Sequence, residues 1–241
     1  MKWYKGPEGD QRIWFEPEEI EQIAEDELRK AGLFPTPTAP VTDLERFLEG
    51  HLKASLDQYA ELEPEVLGLT RFESGRPPAV SINQDLTGAV DEESQPGLTG
   101  RWRATIAHEG AHVLLHRVLF ELDEDQGTLF PSTPSGSQAQ RLMRCLKRDV
   151  GPQSRSTDWR EIQANKGMAA LLMPRRVFVK VARLETAALG LSSLTAGSPS
   201  SVALARRLAT IFTVSRQAAS IRLETLAIVG RRDEPTLPTV N

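Results

Sequence analysis

The stretch from residue 103 to residue 116 constrains this 241-residue chain more than any other, because it contains the pattern His-Glu-x-x-His. The pattern is formed by His108, Glu109 and His112. Apolar residues flank it at near-helical spacing, which predicts a helix from about residue 101 to residue 120. Residues four positions apart lie on one face of a helix, so His108 and His112 can offer imidazole nitrogens to one metal ion. The sequence therefore predicts a metal site on this helix.

Glu109 follows the first histidine and projects about 100° away from it around the helix axis. It is thereby placed beside the metal rather than on it, where the general base lies in zinc peptidases. The chain has only four histidines, so the pattern seldom arises by chance in this composition. We therefore predict Glu109 as a catalytic base.

A catalytic zinc usually has three protein ligands, and the pattern supplies two. His116 lies four residues beyond His112, too far along the helix axis to reach the same ion comfortably. It is better suited to supporting a ligand or to a polar position in the core. His51 ends a Glu-Gly turn, where we expect an exposed imidazole. We therefore expect the third ligand to lie on a later helix.

Glu161 is the strongest candidate for that ligand. It lies on a predicted helix that Asp158 caps and Pro174 ends. Helical spacing places it on one predicted buried stripe with Asn165, Met168 and Leu172. A carboxylate on a buried stripe is unfavourable unless it is paired or bound to a metal. A buried salt bridge of Glu161 with Arg103 or Arg160 is the alternative.

The composition sets broad limits on the kind of protein. With 39% hydrophobic and 26% charged residues, the chain is typical of a globular protein. Its net charge of −4 argues against a protein that mainly coats nucleic acid. No apolar run is long enough for a membrane span, and the N-terminus lacks the apolar core of a signal peptide. The single cysteine, Cys145, excludes an internal disulfide, and we expect a cytoplasmic protein.

Two helices are predicted ahead of the metal-binding region. Residues 1–15 are expected to be a flexible lead-in. A helix then begins at Pro17 and ends near Gly32. Thr42 is the predicted cap of the second helix, with Glu45 completing a capping box. The residues of this second helix expected to face inward are Leu44, Phe47 and Leu48.

A β-hairpin is predicted from residues 66–72 and 78–83. Its edge either pairs with an extended substrate or only shields the core. A polar loop is predicted over residues 88–100. An inserted loop is predicted over residues 121–157, with a short basic helix at residues 141–148. Together these elements indicate an α+β fold that is mainly helical, with a small sheet beside the metal-binding helix.

Two motifs resemble those of the ImmA/IrrE family of metallopeptidases. They are Arg-x-Thr-Ile-Ala-His-Glu-Gly-Ala-His-Val-Leu-Leu-His and the downstream Glu-x-x-Ala-Asn-x-x-x-Ala-x-Leu-Leu-Met-Pro. The order of a helix, a proline-containing connector, a hairpin and the metal-binding helix is similar as well, so the resemblance covers roughly residues 16–229. It implies a zincin-like metallopeptidase domain over residues 16–199.

The resemblance implies a zinc endopeptidase that cleaves a partner helix-turn-helix transcriptional repressor, in a stress response, a mobile element or toxin-antitoxin regulation. It assigns zinc binding to His108, His112 and Glu161. It assigns general base catalysis to Glu109. Mn²⁺ is an alternative metal, because two imidazoles and a carboxylate suit several divalent ions. The motifs leave the donor to the oxyanion unassigned, with Tyr59 and Arg103 as candidates.

Residues 200–229 predict a helix, a tight turn and a second helix that Ser215 caps, ahead of a tail over residues 230–241. A DNA-reading helix-turn-helix has this form. Residues 201–232 contain six arginines and one glutamate, so the segment is basic. The candidates for contact with bases are Arg216, Gln217 and Ser220. Ordinary packing of the two helices is the alternative. A catalytically inactive or DNA-binding regulator is therefore the rival to the peptidase.

Overall fold

The computed structural model describes residues 2–5, 11–73, 75–92, 95–125, 142–146, 158–191 and 193–230. These residues form a mixed α/β structure that is mainly helical. The helices are α1 (Pro17–Lys30), α2 (Gln84–Glu92), α3 (Pro96–Asp125), α4 (Trp159–Leu172), α5 (Arg175–Ala188), α6 (Pro199–Phe212) and α7 (Arg216–Thr225), with a short π-helical segment at Arg46–His51. The strands are β1 (Lys2–Lys5), β2 (Gln11–Trp14), β3 (Ser55–Ala60), β4 (Val66–Arg71), β5 (Ala79–Asn83) and β6 (Leu142–Leu146). Across these ranges, no helix has the length and apolar character that crossing a membrane requires.

Four strands form one sheet in the order β3-β5-β4-β6. The predicted hairpin is confirmed, since β4 and β5 pair antiparallel with Gly68 opposite Ile82. β3 pairs in parallel with the other side of β5, and β6 pairs antiparallel with the other side of β4. The hairpin therefore lies in the middle of the sheet, and neither of its strands is the free edge that the sequence led us to expect.

In place of the flexible lead-in expected over residues 1–15, the described residues there form an antiparallel hairpin of β1 and β2. Ile13 and Phe15 are buried in a small cluster with Ile20 of α1 and Leu115 of α3. Burial of two large apolar side chains supplies the stabilisation that an isolated two-stranded hairpin lacks. The hairpin is thus held by contacts with the adjacent α1 and with the distant α3, and local sequence patterns do not reveal the second of these.

The N-terminal helices agree with the prediction except at one cap. α1 begins at Pro17 as predicted. Thr42 does not cap the second helix, because it is buried and its hydroxyl donates to the Leu171 carbonyl at 2.8 Å. The Asp43 carboxylate accepts from the Arg46 amide instead, at 3.0 Å. The residues predicted to face inward are buried, namely Leu44, Phe47 and Leu48.

Two predictions in the middle of the chain are wrong. Most of the loop expected over residues 88–100 is helical, since α2 ends at Glu92 and α3 begins at Pro96, a residue that suits the first turn of a helix. The short helix expected over residues 141–148 is instead strand β6. A short apolar run is compatible with either structure, and pairing with β4 decides between them. Apart from β6 and the end of α3, the inserted segment lies outside the described residues.

α3 is the central helix of the fold, and every residue from 105 to 113 is buried. β4 packs so closely on one side that a Cβ added at Gly68 would lie 2.7 Å from Oε1 of Glu109. α4 packs on another side, where a Cβ added at Gly167 would lie 2.7 Å from the Cβ of Ala111. The polar residues of the His-Glu-x-x-His pattern are therefore enclosed, and each of them requires a partner in the interior.

The helix, turn and helix predicted over residues 200–229 are present as α6 and α7. Thr213 turns the chain in a left-handed conformation with φ of 53°. The Ser215 hydroxyl caps α7 as predicted, accepting from the Ala218 amide at 3.0 Å. Of the tail expected over residues 230–241, only Gly230 belongs to the described residues.

Arg222, counted in the sequence among the basic residues of the second helix, is buried rather than on the surface. Its guanidinium donates to the Glu21 carboxylate and, at 2.7 Å, to the Met173 carbonyl. This contact joins α7 to α1 and to the end of α4. It removes Arg222 from any surface that could contact DNA.

Replacing Arg222 by alanine is expected to lower the free energy of unfolding by about 3 kcal/mol, because the Glu21 carboxylate and the Met173 carbonyl lose their partner in the interior. Chemical denaturation measures this. Arg216→Ala, on the exposed face of the same helix, is the matched control and should change the unfolding free energy by less than about 0.5 kcal/mol. Equal effects of the two substitutions would contradict the structural role of Arg222.

Candidate metal centre

Three side chains from two helices converge on one point. α3 supplies His108 and His112, whose Nε2 atoms lie 3.1 Å apart. α4 supplies Glu161, with one carboxylate oxygen 3.0 Å from Nε2 of His108 and the other 3.3 Å from Nε2 of His112. All three ligand atoms lie within 4.8 Å of one another. The group is therefore close enough to hold a metal ion.

The spacing of these atoms fits a small tetrahedral cation. Two ligand atoms at about 2.0–2.1 Å from a tetrahedral zinc lie roughly 3.3 Å from each other. The two Nε2 atoms lie 3.1 Å apart, and each has a Glu161 oxygen nearby, with Oε2 3.0 Å from His108 and Oε1 3.3 Å from His112. Both imidazoles are fully buried, and 13% of the Glu161 side chain is exposed. The donors are thus preorganised, and their nitrogen and carboxylate chemistry suits a divalent ion.

The charge state of Glu161 also favours a cation. Burial raises the pKa of its carboxyl, but hydrogen bonds with His108 and His112 outweigh burial and hold that pKa well below its ordinary value. Burial lowers the pKa of His112. For His108 burial acts in the same direction, but the hydrogen bond with Glu161 and the neighbouring carboxylates outweigh it and raise the pKa. An ionised carboxylate therefore faces two imidazole nitrogens, as metal binding requires.

Glu109 is completely buried between α3 and β4. Its Oε2 accepts a hydrogen bond from the Thr70 hydroxyl at 2.5 Å. Its Oε1 has no hydrogen-bond partner among the described residues. Burial raises the pKa of this carboxyl to about 8, against the lowering effects of His108 and Thr70. One oxygen of Glu109 is thus held by Thr70, and the other lies beside Gly68 without a hydrogen-bond partner among the described residues.

His116 contacts a metal-site imidazole instead of joining the ligand group. Its Nδ1 lies 3.1 Å from Nδ1 of His112, and its Nε2 lies 3.3 Å from Oε1 of Gln163. The position agrees with the prediction of a supporting or core role. His51, in contrast, is not freely exposed as expected, because its Nε2 lies 2.7 Å from the Glu27 carboxylate and its ring stacks on Phe47.

Neither arginine considered as a partner for Glu161 pairs with it. Arg160 binds the Asp158 carboxylate at 2.8 Å, and Arg103 donates to the Thr42 carbonyl at 3.0 Å. The predicted buried stripe is displaced around α4, because Glu161, Asn165 and Met168 are half-buried. The buried face consists of Gln163, Ala164, Gly167, Ala170, Leu171 and Leu172. Glu161 therefore lies at the rim of that face, beside α3.

The remaining predicted site residues lie elsewhere in the fold. Tyr59 on β3 is exposed, and its hydroxyl donates to Asp91 at 2.8 Å. Within the described part of the chain, neither Tyr59 nor the buried Arg103 hydrogen-bonds to Glu109 or to a ligand. The candidates for DNA contact differ in exposure, since Arg216 and Gln217 are exposed and Ser220 is half-buried.

Four further residues contact or influence the site residues, and the sequence does not predict this role for any of them. Gly68 and Thr70 lie on β4, and only the packing of that strand on α3 brings them to Glu109. Gln163 contacts His116, and Asn165 contributes to raising the pKa of His108. One signal in the sequence is on α4, where polar residues at positions 161, 163 and 165 precede the apolar run of residues 168–173.

Replacing Gly167 by alanine is expected to weaken metal binding and to lower stability by about 1–3 kcal/mol, because the new Cβ would lie 2.7 Å from the Cβ of Ala111. α4 must then move away from α3 and take Glu161 with it. Thermal unfolding and metal titration measure the two effects. Adding Ala111→Gly should restore both, and an undiminished affinity in the single variant would contradict the proposed close packing.

Comparison of the chain with protein-family models gives no match, and comparison with curated protein sequences gives none either. The three convergent side chains and Glu109 are therefore the features from which a function is inferred. Those observations support a metal site directly, and they support a reaction only through the position of the buried carboxylate.

Proposed function

We propose that this protein is a metal-dependent endopeptidase of the ImmA/IrrE type with a zincin-like domain. Its metal is Zn²⁺, with Mn²⁺ as the alternative, held by His108, His112 and Glu161. The observation that carries the proposal is the convergence of these three side chains within 4.8 Å, with a buried carboxylate on the residue next to a ligand. A structural metal site needs no such carboxylate, whereas hydrolysis needs a base at this position.

The mechanism assigns a separate task to each oxygen of Glu109. The bound metal would supply Lewis acidity and lower the pKa of a water molecule. Oε2 of Glu109 stays hydrogen-bonded to Thr70, which fixes the direction of the carboxylate. Oε1 is unpartnered within the described residues, so it can accept the proton of the attacking water and return it to the leaving amine. Burial strengthens these electrostatic interactions because bulk water is excluded.

The proposed substrate is a helix-turn-helix transcriptional repressor, and the proposed location is the cytoplasm. The substrate is proposed from the motif resemblance, and the location is proposed from the composition and the single cysteine. The test is to incubate the purified, zinc-loaded chain with the repressor encoded beside its gene, with and without a chelator. We expect defined fragments that disappear with chelator and return with added Zn²⁺. An intact repressor under all conditions would refute the proposed activity on this substrate.

A second candidate function is a regulator that binds metal but does not hydrolyse peptides. The observation in its favour is burial, since His108, Glu109 and His112 are all completely shielded from solvent. A peptide reaches these groups only if the shielding around them changes. Tight metal binding without cleavage of the repressor or of any unfolded test protein would favour this candidate. For a regulator that binds DNA, the exposed Arg216 and Gln217 are the proposed contacts on α7, and burial of Arg222 lowers the positive charge of that surface.

A further inference from the structure

A line of hydrogen-bonding groups runs from the metal ligands to the N-terminal hairpin. Nδ1 of His112 lies 3.1 Å from Nδ1 of His116. Nε2 of His116 lies 3.3 Å from Oε1 of Gln163. The Gln163 amide nitrogen donates to the Ile13 carbonyl at 2.9 Å. All four residues are buried, so the line is isolated from water.

The chemistry of the last member fixes the direction of every proton in the line. A carbonyl oxygen only accepts, so the nitrogen of Gln163 must face Ile13 and its oxygen must face His116. Nε2 of His116 therefore donates to that oxygen. In a neutral imidazole the other nitrogen is then an acceptor, so Nδ1 of His116 accepts from Nδ1 of His112.

The consequence appears at the metal site. In the metal-bound state, His112 would donate through Nδ1 and carry no proton on Nε2. That nitrogen lies 3.1 Å from Nε2 of His108 and 3.3 Å from the Glu161 carboxylate, so its lone pair would be directed to the point that the three side chains share. A metal-binding histidine generally has its other ring nitrogen fixed in this way by a hydrogen-bond acceptor. Here the acceptor is a second histidine on the same helix, which is itself fixed by α4 and by the backbone of β2.

We propose that His116 and Gln163 are positioning residues that hold His112 in the tautomer able to bind the metal, with the Ile13 carbonyl of the N-terminal hairpin as their anchor. The inference rests on the metal centre of the proposed function. It gives the hairpin a role at a site from which it is remote in sequence. Burial of three polar side chains is unfavourable unless each is satisfied, and this arrangement satisfies every member.

Two substitutions of His116 separate hydrogen bonding from packing. His116→Phe keeps a planar ring against Trp159, whose ring centroid lies 5.6 Å away, but it has no acceptor for His112. His116→Gln loses the ring but keeps one acceptor and one donor. The affinity of the full chain for Zn²⁺ and Co²⁺ is measured by competition with a chromophoric chelator. We expect Phe to weaken affinity roughly 10- to 100-fold and Gln to retain most of it. The opposite order would show that only packing matters.

Gln163 provides an independent arm. Gln163→Leu should weaken metal affinity about as much as His116→Phe, and the double variant should be no weaker than the worse single variant, because both break one line. Ile162→Ala, an exposed position on the same helix, is the matched control and should bind metal like the wild type. Wild-type affinity in Gln163→Leu, or additive losses in the double variant, would overturn the proposal.

Nitrogen NMR of the wild-type imidazoles tests the tautomers without any substitution. We expect the proton of His116 on Nε2 and that of His112 on Nδ1, with zinc bound. A proton on Nδ1 of His116 would overturn the proposal even if a variant fails to fold. These measurements use the metal alone, so their outcome is distinct from a failure of the proposed peptidase activity, which would leave metal binding unchanged.

Discussion

Replacing Glu161 by alanine is expected to abolish tight metal binding while leaving the chain folded. Structural zinc sites bind with about 10–16 kcal/mol shared among four ligands, so the loss of one ligand should weaken affinity roughly 100- to 1,000-fold. The loss includes a charge, because the pKa of Glu161 is held well below its ordinary value and the carboxylate is therefore ionised at neutral pH. Without it, the site consists of two buried imidazoles and has no negative charge to balance that of the metal ion.

Elemental analysis and chelator competition measure this effect. Glu161→Gln, which keeps the shape and one oxygen but not the charge, should fall between the wild type and the alanine variant. Ile162→Ala, next to it and exposed, controls for changes in α4 itself. One metal ion per chain at wild-type affinity in Glu161→Ala would show that the third ligand lies elsewhere.

The pairing of His108 with His112 is predictable because helical periodicity alone brings the two side chains to one face. Glu161 is predictable in identity but not in placement, because its exposure depends on how closely α4 approaches α3 at Gly167. The groups that complete the site are not predictable. Thr70 lies 39 positions from Glu109, and Gln163 lies 150 positions from Ile13. No local pattern encodes contacts of that sequence separation.

The same argument explains the elements that sequence reasoning assigns incorrectly. β6 consists of a short apolar run with one arginine, and its strand conformation comes from the ladder with β4. The hairpin of β1 and β2 is stabilised by burial of Ile13 and Phe15 against helices that follow later in the chain. α1 and α4 are predictable from local signals, because α1 begins at Pro17 and α4 is capped by Asp158 and ends just before Pro174.

Glu109→Gln is expected to abolish peptide cleavage and at the same time to make the metal-free chain more stable at alkaline pH. The first effect follows from loss of the group that accepts the proton of water. The second follows from burial, which raises the pKa of Glu109 from 4.5 to about 8. A raised folded-state pKa contributes stability that is complete below the unfolded-state pKa and is lost as pH rises to the folded-state value.

The metal-free wild type should therefore lose stability between about pH 4.5 and pH 8 relative to the glutamine variant, by roughly 3–5 kcal/mol at the upper end. The test compares the unfolding free energies of the wild type and of Glu109→Gln at each pH and asks how their difference changes with pH. A penalty for burying the new amide beside Gly68 is the same at every pH, so it does not affect this comparison. Denaturant unfolding at pH 5, 7 and 9 after chelation provides it, and Glu49→Gln on the exposed surface controls for the substitution. A difference that does not vary with pH would show that Glu109 is ionised in the metal-free fold. A stabilising but inactivating substitution, in contrast, is what a carboxylate retained in the interior for its chemistry should produce.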